Sequence, residues 1–166
     1  MFATTVAKTA RRLPLALAVL GLAAVWAPAQ AGAAPPTPVD FSLTFDDSDG
    51  GFSRICSFDV LIEVQGKTKV LELPTGTKII TTAPGQTATV NNLDTGETLE
   101  LRIPGTSQFD PETGEFVFLG ANLIIRSSDF GDVTQGLVYA EGRFTFVPGE
   151  GLTGVGSSTD ICAALA

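Results

Sequence analysis

The chain has 166 residues, 44% of them hydrophobic and 17% charged, with no histidine and a formal net charge of −8. Without an imidazole, Ser-His-Asp and Cys-His catalysis are excluded, as are zinc, copper and haem sites built on histidine. The acidic balance disfavours phosphate backbones and anionic lipid surfaces, so no nucleic-acid partner is expected and no membrane partner once a leader is removed.

Residues 1–31 have the form of a secretory leader. Lys8, Arg11 and Arg12 supply a positive start, and residues 13–25 are apolar apart from Pro14 and Gly21. Ala29-Gln30-Ala31 then offers a small-residue cleavage site, with Ala31-Gly32-Ala33 as a second. The run is shorter than the roughly 20 apolar residues of a membrane span. Arg11-Arg12 also admits a twin-arginine reading, although its flanks fit that pattern poorly. Cleavage after Ala31 leaves 135 residues, enough for one domain. Three cations and no acid leave with the leader, so the net charge of the remainder falls to −11. That remainder has no His, Trp or Met, and its one tyrosine is Tyr139.

Both cysteines, Cys56 and Cys162, lie in the exported part. An even count in an oxidising compartment predicts one disulfide. It closes a loop of about 107 residues, which in the chain-entropy picture is worth roughly 4.7 kcal/mol. A redox or nucleophilic thiol is disfavoured, because there is neither a C-x-x-C motif nor a histidine.

Residues 32–38 (GAAPPTP) read as a flexible linker and 39–166 as a single β-domain. Val39, Phe41, Leu43 and Phe45 alternate with polar residues, the mark of a half-buried strand, and residues 46–51 form an acidic, Gly-rich turn. Phe58, Val60, Ile62 and Val64 give a second strand, and Gln65-Gly66-Lys67 reads as the turn that ends it. Residues 68–73 and 78–82 flank Pro74-Thr75-Gly76-Thr77 as a hairpin, and Ala83-Pro84-Gly85 turns the chain again. Residues 87–91 and 98–103 flank Asp94-Thr95-Gly96, the chemistry of a bulged hairpin turn, and Glu112-Thr113-Gly114 repeats it. Residues 116–126 and 137–147 are long strands, the first with Gly120 at its middle, where a bend or close backbone approach is expected. In the second, Val138, Ala140, Gly142, Phe144 and Phe146 are expected to face inward, with Tyr139, Glu141, Arg143 and Thr145 outward. Pro148-Gly149-Glu150-Gly151 leads to a weak last strand at 152–157, and one helical turn fits near 161–165. No 3.6-residue apolar period runs through the exported part. The expectation is an all-β domain of about nine or ten antiparallel strands, an up-and-down barrel or a strongly curled β-sandwich.

Several positions could carry chemistry. Asp46, Asp47 and Asp49 precede Gly50-Gly51, and clustered carboxylates in such a loop can hold calcium, but their spacing is not that of an EF-hand and a solvated turn is the simpler reading. Asp110/Glu112 and Asp129/Asp132 are carboxylate pairs of the kind glycosidases use, in a chain with few aromatic platforms for a sugar. Tyr139, Glu141 and Arg143 share one strand face, either as a polar ligand site in a barrel mouth or as a solvated outer face. Phe116 and Phe118 lie opposite Val117 and Leu119, so that strand is apolar on both faces. With Phe109 and Phe130 it forms either core or a ligand or partner surface. No catalytic residue, metal site or cofactor is assigned.

The segments Cys56-Ser57-Phe58-Asp59-Val60, Gly66-Lys67-Thr68-Lys69-Val70-Leu71-Glu72-Leu73-Pro74-Thr75-Gly76, Thr82-Ala83-Pro84-Gly85-Gln86-Thr87-Ala88-Thr89-Val90-Asn91 and Thr159-Asp160-Ile161-Cys162-Ala163-Ala164-Leu165 together resemble a group of small secreted proteins of high-GC Gram-positive bacteria with no assigned function. The resemblance implies export, an all-β domain and a Cys56–Cys162 pair, and no activity. The functional expectation is a secreted, non-enzymatic β-domain that binds an extracellular partner or small apolar ligand, or serves a cell-surface structural role. The alternative is a small extracellular carboxylate-based enzyme. Mass analysis of the exported protein is expected to place its N-terminus at Gly32, or at Ala34 for the second cleavage site. Retention of residues 1–31 would overturn the leader reading.

Overall fold

The computed structural model describes residues 35–48, 52–73, 78–128 and 134–166. The leader, residues 32–34 of the linker, Asp49, the turn at 74–77, and Asp129, Phe130 and Asp132 lie outside the described residues. The alternating segments become nine antiparallel strands: β1 (Thr37–Phe45), β2 (Val60–Glu72), β3 (Ile79–Thr82), β4 (Thr87–Asn92), β5 (Thr98–Arg102), β6 (Thr106–Phe109), β7 (Phe116–Arg126), β8 (Gly136–Val147) and β9 (Gly151–Asp160). A single helical turn, α1 (Ile161–Ala164), follows, capped by the Asp160 carboxylate, which accepts from the Ala163 N–H at 3.0 Å. β1 begins at Thr37, two residues ahead of its expected start at Val39.

The strand order is β5-β4-β2-β3-β6-β7-β8-β9, with β1 on β2. This is one antiparallel sheet not closed into a barrel. Chain neighbours pair throughout, as in a meander: β3 and β4 follow one another along a single edge of β2, in registers that differ by one residue, and β6 and β5 run beside them in the same way. The break in register lies opposite the middle of β2. The expected turn at Gln65-Gly66-Lys67 does not form, and residues 60–72 run as one strand. Its first half pairs with β1 and β4, and its last four residues pair with β3. Gly66 sits at the changeover with φ 132°, and a Cβ there would lie 2.8 Å from the Gln86 Cα. Only glycine fits that close approach of neighbouring backbone.

The sheet folds back so that apolar side chains of both halves meet. The main core joins Phe45, Val60, Ile62, Val64, Ala88 and Val90 to Leu137, Ile161 and Leu165, with Leu123, Ile125 and Tyr139 packed against it. Cys56 and Cys162 are disulfide-bonded, with Cα atoms 5.3 Å apart, and both sulfurs' residues pack on this core. The bond ties the approach to β2 to α1.

One buried amide joins the same end of the core. Asn92 is 1% exposed. Its Oδ1 accepts from the N–H groups of Asp94 and Thr95, which builds the 94–96 turn, and its Nδ2 donates to the Leu165 carbonyl at 2.8 Å. Asp110 builds the second Thr-Gly turn in the same way, accepting from Glu112 and Thr113, but at the surface and with no donor role. A carboxylate serves at 110; at 92 the side chain must both accept and donate. We predict that Asn92→Asp costs about 3 kcal/mol or more in urea unfolding, since it buries a charge and leaves a buried carbonyl unpaired. Asp110→Asn should cost under about 1 kcal/mol, because its turn acceptor survives. Equal costs would contradict this assignment.

Candidate functional site

β7 and β8 bring the candidate site together. They pair over their whole length, from Phe116↔Phe146 to Arg126↔Gly136. Glycines fall in register at the centre, Gly120↔Gly142 and Gly142↔Gly156, and the Gly105 N–H donates to the Ala121 carbonyl beside them. A Cβ on Gly142 would strike the Val155 carbonyl, and one on Gly156 the Glu141 carbonyl. With φ of 143° and 144° these glycines would aim a Cβ straight at the neighbouring strand, a backbone only glycine takes here, and with Gly120 at φ 79° beside them the sheet creases across this line.

The crease makes a groove. Nine steps of straight strand separate Phe116 from Ile125 by about 30 Å. Here Phe116, Phe118, Leu123, Ile124, Ile125 and Phe146 line a single open groove of about 300 Å³. The Phe109 and Phe116 rings stack at 4.5 Å between centroids, Phe116 and Phe118 lie nearly parallel at 5.9 Å, and Phe146 meets Phe116 at 6.5 Å. Ile124, Ala140 and Phe144 form a second small core beneath, with Phe118, Val138 and Leu152 against it. Both faces of the Phe116–Arg126 strand thus bury apolar groups, one in the main core and one in this cluster.

A smaller recess adjoins the groove, sharing Phe118 and Leu123 with it. Its polar lining is neutral: Thr81, Gln86, Ser107 and Asn122. The Asn122 Nδ2 donates to the carbonyls of Leu119 and Gly120, which leaves its amide oxygen to accept from elsewhere. Pattern reading missed this recess, because its members come from three separate segments, 81–86, 103–107 and 118–123, and none is chemically unusual.

Ala140, Phe144 and Phe146 are buried and Glu141 and Arg143 exposed, as alternation requires. The outward assignment of Tyr139 is corrected: with the fully buried Leu137 it meets the main core, because the other half of the sheet covers that end of β8. The Tyr139 hydroxyl reaches the surface between the Arg102 carbonyl at 3.1 Å and the Glu141 Oε1 at 3.2 Å, while the Ser157 hydroxyl lies 3.4 Å from the Glu141 Oε2. Tyr139 and Glu141 are therefore coupled, and among the described residues no hydrogen bond or ion pair links Arg143 to either.

The carboxylates serve loops. The Asp46 carboxyl is held below its ordinary 3.8 by hydrogen bonds from Ser48. Asp47 accepts from the Arg54 N–H at 2.6 Å, and the Arg54 guanidinium bonds Asp59 at 2.6 Å. The Asp110 carboxylate is taken up by its own turn rather than facing Glu112 across a cleft. Among the described residues no group of three or more Cys, Asp or Glu could hold a metal ion, and no helix is long and apolar enough to cross a membrane.

Burial first, then the Glu141 carboxylate, pushes the Tyr139 phenol above its ordinary 10.0. Because Tyr139 is the one tyrosine, phenolate absorbance reads it alone. Its midpoint should lie above 10.0, and Glu141→Gln should bring it part of the way back. A raised folded-state value means that this contribution to stability is full below the unfolded value and is lost as pH rises through the folded one. A midpoint at or below 10.0 would contradict the arrangement. No protein family, curated protein or solved structure matches the chain.

Proposed function

We propose that the chain is a secreted, non-enzymatic binding domain, a strongly curled β-sandwich whose crease holds a small amphiphile. The observation that carries this reading is the pairing of an all-apolar groove of about 300 Å³ with a neutral polar recess that shares two of its side chains. A groove of that size is at the small end of ligand sites, and an apolar wall with a few polar groups is their usual composition. The leader features and the Cys56–Cys162 bond support export. The recess has no cation among its lining residues and the exported chain is acidic, so the polar end of the ligand is neutral, a hydroxyl or amide. A carboxylate-based enzyme draws no support from Asp110 and Glu112, since the first is spent on its turn.

The test uses phenyl-naphthylamine, which fluoresces in apolar sites. Saturable enhancement with one site per chain is expected, with displacement by dodecanol and weaker displacement by dodecanoate. Phe118→Ala, which removes a wall of both groove and recess, should weaken binding about tenfold or more, since one buried phenylalanine is worth roughly 1.5–3 kcal/mol. Absence of saturable enhancement with the folded wild-type protein would overturn the proposal.

A further inference from the structure

We propose that the chain forms a two-fold dimer by antiparallel pairing of β9 with β9 of a second copy. Independently of the groove, three features of that strand point there.

The first is how little covers it. β9 ends the strand order and is paired with β8; among the described residues nothing pairs its other edge. Its side chains from Thr153 to Asp160 are exposed, Val155 at 82%. Ten residues of strand are thus fastened along one side and bare on the other.

The second is the absence of edge protection. Sheet edges are ordinarily blunted by lysine, proline, a bulge or shortness. Residues 151–159 contain no charge and no proline, and the register with β8 runs unbroken from Val138↔Asp160 to Val147↔Gly151. The outward N–H and C=O groups therefore present an unblocked row for another strand, with positive φ only at Gly151 and Gly156.

The third selects the occupant. The exported chain carries a charge of −11, so two copies repel across most approaches, while this row is neutral. Inverted about Gly156, the strand is complementary to itself: Val155 opposes Ser157, Gly154 opposes Ser158, Thr153 opposes Thr159, and Asp160 opposes Leu152 rather than another acid. Small side chains meet small ones and no like charges face each other. An axis normal to the sheet follows from antiparallel pairing of identical strands, which puts both aromatic grooves on one face of the joined sheet.

Sedimentation equilibrium of the exported protein at micromolar concentration should show a dimer. Hydrogen exchange, read residue by residue, should show alternate β9 amides becoming protected as concentration rises. Of the neighbours Ser157 and Ser158, one N–H points to β8 and the other to the open edge. Proline at the edge-pointing position should abolish the dimer and leave the melting temperature nearly unchanged; proline at the other should lower the melting temperature. A monomer throughout would overturn the proposal. So would a dimer whose β9 amides stay unprotected, which would place the interface elsewhere or leave the edge to a different partner.

Discussion

Where β8 and β9 cross their midpoints, the space a Cβ would need is already filled by backbone. Gly142 and Gly156 each face a carbonyl oxygen of the neighbouring strand, and Gly120 completes the row with φ 79°. Glycine is disfavoured in a strand interior, so a row of three in register weakens each strand in exchange for a bend that other residues would not permit. The groove depends on that bend, since it brings Phe116 and Ile125 to one site. The second core depends on it too, because Phe144 and Ile124 come together from opposite sides of the row.

The two ends of β8 consequently live in different surroundings. Near Leu137 the strand is sandwiched, with Leu137 and Tyr139 in the main core and Val138 and Ala140 in the second. Past the crease the covering half of the sheet is gone, and Glu141 and Arg143 meet water while Phe144 and Phe146 keep to the groove side. A single strand thus passes from covered on two faces to covered on one. Tyr139 stands at the changeover, its ring packed and its hydroxyl near the surface.

Much of the architecture was legible residue by residue. Strands 116–126 and 137–147 are long and alternate, the Thr-Gly turns at 96 and 114 carry glycines at positive φ, and the helical turn after Asp160 has its capping side chain in sequence. What escaped reading was non-local. Gln65-Gly66-Lys67 has the composition of a turn, and only the strands on either side of β2 keep it extended. β6, Thr-Ser-Gln-Phe, lacks an apolar alternation and is a strand because β3 and β7 flank it. Alternation assigned Glu141 and Arg143 outward correctly, but misplaced Tyr139, since period two separates the faces of a strand without saying which layer lies over each. The phenylalanines of the groove were conspicuous as a strand apolar on both sides; the polar recess was not, being assembled from ordinary residues of separate segments.

The main core is closed by Ile161 and Leu165, and the bond from Cys162 and the amide of Asn92 both reach to this late segment. In a chain made from its N-terminus, β2 and β4 therefore wait for core side chains that emerge about 70 to 100 residues later. Contacts of such separation are slow to form. Until Ile161 and Leu165 dock, the early strands have no finished hydrophobic centre to lock them shut, and the amide of Asn92 has no carbonyl to hold.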